Sequence, residues 1–361
     1  MWNQNEITER LKITYPVIQA GMAGGPTTTQ LVSAVSNAGG LGVLGAGYMT
    51  PEQTQSSIEQ IRQLTDKTFG INLFVPETPE LDKEKIKESN RMLRPVREKL
   101  NLNDPSGIPK TSSEPFFRQI EIILENSVPV CTFTFGIPDK PIIKQLKNNH
   151  VTVIGTATTL KEAIMNEEAG MDMVVVQGSE AGGHRGSFAV PYEQGMIGTM
   201  ALVPQVADRI HIPVIAAGGI MDGRGVLAAL ILGAKAVQMG TAFVTCDESG
   251  ANERHKKAIL KSAEDETTLT SSFSGKPARG IRNAFIDFMA GKEHLLPDYP
   301  IQNALTKDIR TAASKHDQPE WMSMWSGQAP RLSRRGSAGD KVKEIVSEVE
   351  SHLEILMTGR K

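Results

Sequence analysis

Along the chain, short apolar runs punctuated by glycine take turns with amphipathic stretches in which apolar positions recur every three or four residues. Eight runs read as strands: 16–21, 41–46, 69–75, 129–135, 151–156, 173–177, 213–218 and 236–241. Several, such as Met173-Val174-Val175-Val176, are apolar without polar alternation, the pattern of parallel strands covered on both faces. Between them, residues 27–38 open on threonines able to cap a helix, 51–64 start with Pro51-Glu52, and 158–169 stop at Gly170. This alternation implies βαβ units around a parallel sheet. Eight units in about 250 residues imply an α/β TIM (β/α)8 barrel rather than a doubly wound sheet.

Two regions depart from the repeat. Residues 76–115 are charged and contain proline, with a helix expected over 81–99 and a loop around Asp104-Pro105-Ser106-Gly107, and they read as an insertion after strand 3, at the active-site rim. Past Cys246 the chain turns helical over 252–265, is irregular to 300, and is helical again near 306–316 and 340–357. The expected organisation is a barrel over 1–246 and a helical C-terminal extension over 247–361, packing over the barrel mouth.

Composition narrows the function. The 361 residues suit two domains or one large barrel with an appendage. Lys plus Arg total 39 against 41 Asp plus Glu, a net charge of −2, so no basic footprint for nucleic acid exists. The apolar stretch 226–232 is far shorter than the roughly 18 residues that cross a bilayer. The opening Met1-Trp2-Asn3-Gln4-Asn5-Glu6 lacks a signal peptide's basic and apolar regions, so a soluble cytoplasmic protein is expected. Cys131 and Cys246 stand far apart, which excludes a disulfide framework and a cysteine-ligated zinc and suggests buried fillers.

In a TIM barrel the chemistry sits at the C-terminal ends of the strands, with phosphate commonly held after strands seven and eight. Here strand seven ends in Gly218-Gly219 and strand eight in Gln238-Met239-Gly240-Thr241, bare backbone suited to a phosphorylated ligand. The loop after strand six, Gln177 to Ser187, sets four glycines around His184, an imidazole able to act as a base near neutral pH. Loop flexibility would let it reach a substrate lying on a planar cofactor. The other six histidines, at 150, 211, 255, 294, 316 and 352, read as ordinary surface or packed residues. Glu180 reads as a cap or a solvated loop charge rather than as a second acid or base. Arg185 either attracts an anionic substrate or lies in solvent. Asn72 and Gln177 end strands three and six, where an amide meets a cofactor edge or nearby backbone. Met22, among Ala20, Gly21 and Ala23, lines a flat ring or packs in the core.

Together, Ala20-Gly21-Met22, Gly70-Ile71-Asn72, the run from Gly178 to Gly186, Ala217-Gly218-Gly219-Ile220 and Gln238-Met239-Gly240-Thr241 resemble the FMN-dependent nitronate monooxygenases. The likeness spans almost the whole chain, and Glu180 to Arg185 is its most specific part. It implies FMN held non-covalently and no metal, with Met22, Asn72 and Gln177 at the flavin ring and Gly182 and Gly183 beside it. Gly218, Gly219, Gln238, Met239, Gly240 and Thr241 would form the phosphate cradle, and His184 the catalytic base. The implied reaction oxidises alkyl nitronates with O2 to a carbonyl compound and nitrite. A neutral nitroalkane would first lose its α-proton to His184. Propionate 3-nitronate is the implied cellular substrate, detoxification the role, and a homodimer the candidate assembly. Tyr299, Gln302 and Trp325 to Gln328 resemble tail elements that close over the flavin. FMN-dependent enoyl-acyl-carrier-protein reductases and NAD(P)H:quinone reductases on the same barrel are the nearest rivals, and Arg185-Gly186-Ser187-Phe188 favours the monooxygenases. A non-catalytic flavin binder and a flavin-free phosphosugar enzyme are further alternatives. Chemistry of the IMP dehydrogenase kind needs a cysteine in the loop after strand six, which has none.

Overall fold

Three of the helices read from the sequence start where a threonine hydroxyl precedes the first turn. Thr28 accepts the Leu31 N–H to open helix 29–37, Thr50 and Gln53 cap each other before Pro51 in helix 51–64, and Thr159 opens helix 160–169, which Gly170 ends at φ 92°. The computed structural model describes residues 1–77, 81–103, 107 and 112–359. Its strands are β1 (Val17–Gln19), β2 (Leu41–Gly45), β3 (Phe69–Phe74), β4 (Val130–Thr134), β5 (Thr152–Ala157), β6 (Met173–Gln177), β7 (Gly183–His184), β8 (Val214–Ala217), β9 (Ala236–Met239), β10 (Thr267–Thr270) and β11 (Ala278–Ile281).

β1–β6, β8 and β9, all parallel, form a closed barrel, sealed by Ile18 of β1 opposite Leu41 of β2 on one side and Gln238 of β9 on the other. These eight match the strands read from the sequence. Their side chains alternate: Met173 and Val175 fill the barrel with Ile18, Val43, Val130, Ile154 and Ile215, while Val174 and Val176 face the helices outside. Ile7 and Leu11 of helix 6–11 join the interior cluster. The period of two decides what reaches the upper end, since Gln177 and Gln238 fall on the inward phase.

Helix 83–99 occupies the insertion, while residues 104–106 of its expected loop lie outside the described residues. Ile86, Leu93 and Val96 of that helix pack with Val244, Phe273, Phe285, Ile309, Trp321 and Met324, so insertion and tail share one apolar cap. Helix 114–125, which the sequence reading left unnamed, covers β3 from outside. The stretch expected to be irregular holds β10 and β11, which pair with β7 in a three-stranded antiparallel sheet.

The last helix, 338–358, does not lie over the mouth. Ala338, Val342, Ile345 and Val349 pack with Leu31, Val35 and Val226, so it stands in the outer ring between helices 29–37 and 223–231. The approach is close: a Cβ on Gly223 would lie 2.5 Å from that of Glu348, whose carboxylate accepts the Gly223 N–H at 2.8 Å. The tail crosses the mouth with residues between these elements and then supplies the ring helix that β9 itself lacks. Among the described residues, no helix is long and apolar enough to cross a membrane.

Candidate active site

A cavity opens at the C-terminal ends of the barrel strands, lined by Met22, Gln177, Gly182, Gly183, His184, Gly218, Gly219, Gln238, Gly240 and Thr241 together with Tyr48, Phe135, Thr156, Val175, His255, Trp325 and Gly327. Ten of the twelve residues singled out in the sequence therefore meet in one place. Two do not line it. Met239 takes the outward phase of β9 and packs in the core at 1% exposure, because its neighbour Gln238 holds the inward phase. Asn72 lies one layer down: its Nδ2 donates to the Thr132 and Thr134 hydroxyls at 2.9 and 3.1 Å, and a Cβ on Gly21 would sit 2.6 Å from its own. Asn72 Oδ1 is buried with no partner among the described residues.

Gln177 does reach the cavity, yet both ends of its amide are engaged by the following loop. Nε2 donates to the His184 carbonyl at 3.1 Å, and Oε1 accepts the Gly186 N–H at 2.9 Å. Arg185 is 1% exposed and donates to the carbonyls of Gly178, Gln177 and Gly195, so it holds the loop from inside and lies neither in solvent nor at the substrate. Glu180 accepts the Thr199 N–H and hydroxyl at the start of helix 199–207, a cap. Glu162, fully buried, accepts the N–H groups of Phe188 and Ala189 at 2.7 and 2.9 Å. The glycine-rich loop is thus pinned, and β7 makes His184 part of a sheet, opposite Ala278. The flexibility expected of it gives way to a fixed position.

The imidazole itself is set by Ser274. Nε2 of His184 lies 2.8 Å from Ser274 Oγ, and that hydroxyl donates its one hydrogen to the Lys276 carbonyl at 2.9 Å. The hydrogen-bond network therefore assigns the remaining proton to Nε2, leaving the Nδ1 lone pair with no partner among the described residues. Phe135, Tyr299 and Trp325 surround the ring with centroids 5.7, 6.2 and 5.4 Å away. Burial, then the positive charges of Lys276 and Arg310, push the His184 pKa down to about 3, so the ring is neutral. His255, read from the sequence as ordinary, is buried at the cavity wall with its pKa lowered to about 4 by burial. Its Nε2 donates to the Trp325 carbonyl at 2.9 Å.

Part of the same cavity wall is bare backbone. Gly218 and Gly219 have φ of 119° and 70°, closed to ordinary residues. A Cβ on Gly182 would meet Gly327 N at 2.5 Å, while one on Gly240 or Gly183 would have nothing closer than 3.9 Å, so the room beside those two belongs to the cavity. A flat ring with a phosphate tail fits such a wall. Tyr299 and Trp325 of the tail stand at the site as the sequence suggested, while Gln302 does not: it is buried in the cap, bonded to Ser89 and the Ser272 carbonyl.

Sequence reasoning missed Tyr48, Phe135, Ser274 and Arg310. Only Phe135 carried a local signal, since it follows strand four directly and so falls at the mouth.

A cavity at this end of this barrel, lined by a neutral imidazole and by glycine backbone, places the molecule among the TIM-barrel enzymes. The nitronate monooxygenase family profile matches residues 4–348. A probable nitronate monooxygenase from Staphylococcus haemolyticus (strain JCSC1435) is 51% identical over 359 residues, 99% of this chain and 100% of that one. Among solved structures, a nitroalkane oxidase from Streptomyces ansochromogenes superposes with a TM-score of 0.91 at 37% identity, covering 98% of this chain and all of that one. FabK from Thermotoga maritima gives 0.78 at 31% identity, covering 99% of each. The chain belongs to the nitronate monooxygenase family and is an oxidoreductase.

Proposed function

We propose that the protein is an FMN-dependent nitronate monooxygenase that oxidises alkyl nitronates with O2 to a carbonyl compound and nitrite, acts in the cytoplasm, and serves detoxification, with propionate 3-nitronate as a cellular substrate. The observation that carries this reading is the neutral His184 ring, its Nδ1 lone pair without a partner among the described residues, in one cavity with bare glycine backbone.

Gly218, Gly219, Gly240 and Thr241 would hold the FMN phosphate, and Met22, Gly182, Gly183 and Gln238 would flank the ring. Thr241 opens a short helix, where the first N–H groups have no acceptor within the helix. FMN, when bound, accepts the electrons of nitronate oxidation and passes them to O2. The chain's own part is binding, dryness and proton handling. Phe135, Tyr299 and Trp325 wall the imidazole on its apolar sides, and Lys276 and Arg310 place positive potential where a nitronate anion would lie.

Nδ1 is the atom able to take the α-proton of a neutral nitroalkane. The same burial and charges that keep His184 neutral also make its protonated form costly. Nitronates, which arrive without that proton, are therefore the better substrates.

Anaerobic mixing with ethylnitronate should bleach the flavin absorbance, and admitting O2 should release nitrite. Flavin that stays oxidised, with no nitrite on aeration, would overturn the reading. The closer superposition on the nitroalkane oxidase than on FabK favours nitronate over the reductase alternatives. Oxidation of NADH coupled to a quinone or an enoyl thioester would reverse that preference.

A further inference from the structure

The side chains of β4 alternate through Thr134. Val130 fills the barrel while Cys131 and Phe133 pack with the outer helices, and the hydroxyls of Thr132 and Thr134 accept from Asn72 on the inner side. Phe135 therefore falls on the outward phase. Its ring nevertheless lines the active-site cavity, and the residue is 3% exposed. The reversal lies in its own backbone at φ 73°, a conformation that a bulky side chain holds only where its surroundings force it. Those surroundings grip the ring: the Phe74 and Tyr299 centroids lie 4.5 and 5.3 Å away, and Lys276 Nζ sits 4.8 Å over its face. A second cavity, about 370 Å3, adjoins the first. Phe188, Val190, Pro277 and Tyr299 line it together with charged groups, among them the Lys276–Glu77 ion pair. Among the described residues, Phe135 is the one that lines both cavities. Its ring is also 5.7 Å from that of His184. A strained aromatic side chain thus separates the space beside the imidazole from a partly apolar chamber.

We propose that Phe135 sets how long an alkyl nitronate the enzyme accepts: its ring stops the chain at the wall of the active-site cavity, and without the ring the chain runs on into the second cavity. The inference rests on the nitronate reading and adds a specificity-determining residue to it. The strained backbone fits this role, because asparagine or glycine adopts such a φ more readily than phenylalanine does but would leave the two cavities joined.

The test compares holoenzyme kcat/KM for ethylnitronate, butyl-1-nitronate and hexyl-1-nitronate in wild type, F135A, F135G and F135Y. Wild type should favour the short nitronates. F135A and F135G should raise the hexyl-to-ethyl ratio about ten-fold or more, the worth of burying two further methylenes. F135Y keeps a ring and should keep the wild-type ratio. Alanine at φ 73° stays strained whereas glycine does not, so F135G carries the test if F135A fails to fold. A ratio unchanged in F135G, or a wild type that turns over hexyl-1-nitronate as well as ethylnitronate, overturns the proposal. A second readout avoids turnover: nitroethane and 1-nitrohexane are titrated under nitrogen into the H184N holoenzyme and followed by quenching of tryptophan fluorescence, to which Trp325 beside residue 184 contributes. Adding F135G to H184N should tighten 1-nitrohexane about ten-fold relative to nitroethane. If wild type oxidises no nitronate of any length, the parent reading fails. The titration then decides alone, since a relative tightening sustains Phe135 as the partition and an unchanged ratio of Kd values overturns it.

Discussion

Exchanging Glu162 for glutamine tests how the loop that carries His184 is held. The side chain is fully buried, and its two oxygens divide the work. Oε2 accepts the N–H and the hydroxyl of Thr158, both at 2.7 Å, and Oε1 accepts the N–H groups of Phe188 and Ala189. All four partners are donors. A carboxamide has one oxygen, so whichever way it turns, its NH2 confronts two donors and two hydrogen bonds to a charged group are lost. At about 1.5–3 kcal/mol each, E162Q should cost about 3–6 kcal/mol, a large share of the roughly 5–15 kcal/mol that holds a domain folded. Ser187, whose Oγ lies 2.7 Å from that of Thr158, recovers part of this if it re-pairs. Urea unfolding followed by circular dichroism gives the stability change, and ethylnitronate turnover of the folded variant should fall as Phe188 and Ala189 release the strand ending at His184. A change below about 1 kcal/mol would refute the reasoning, and would leave Arg185 as the group that holds the loop.

Three further outcomes follow from the site. Replacing His184 by asparagine should slow nitroalkane oxidation by about 10²–10⁴, the usual worth of a positioned base, and slow nitronate oxidation much less, with the flavin content unchanged; equal loss on both would deny Nδ1 its proton. Acid should weaken the fold, because the buried His255 and the half-buried His184 stay neutral down to about 4 and about 3 while an unfolded histidine takes a proton near 6.5. The unfolded chain then binds more protons in that window, and stability falls as pH drops through it. For His255 alone the loss from pH 7 to 4.5 is about 2 kcal/mol, which H255Q should remove from the shift in urea midpoint. Finally, G182A should displace the tail, since its Cβ would meet backbone atoms of Gly327 and Ser326 at 2.5 and 2.6 Å; about 1–3 kcal/mol lost and weaker flavin retention in equilibrium dialysis are expected.

The eight barrel strands were legible because each is a local apolar run with a glycine or polar stop, and the His184 loop because its glycines cluster in one segment. Facing was harder. Gln177 and Met239 end their strands and Asn72 stands two residues inside β3, yet Gln177 is spent on the loop, Met239 points away and Asn72 lies a layer down. Only a phase anchored on neighbours such as Gln238 separates these cases. Ser274, His255 and Arg310 carry no local signal at all, since each acts across more than 60 residues of chain, on His184 or Trp325 or beside them. β10 and β11 are four residues each and take their stability from pairing with each other and with β7, which composition does not announce.

The placement of helix 338–358 has a consequence for how the protein is made. Leu31 and Val35 emerge from the ribosome early, but the surface that shields them includes Val342, Ile345 and Val349, synthesised some 300 residues later. At about 5–20 residues per second the nascent barrel stands with an open seam for tens of seconds. Its oily flank is then exposed to chaperones or to neighbouring chains until helix 338–358 has been made.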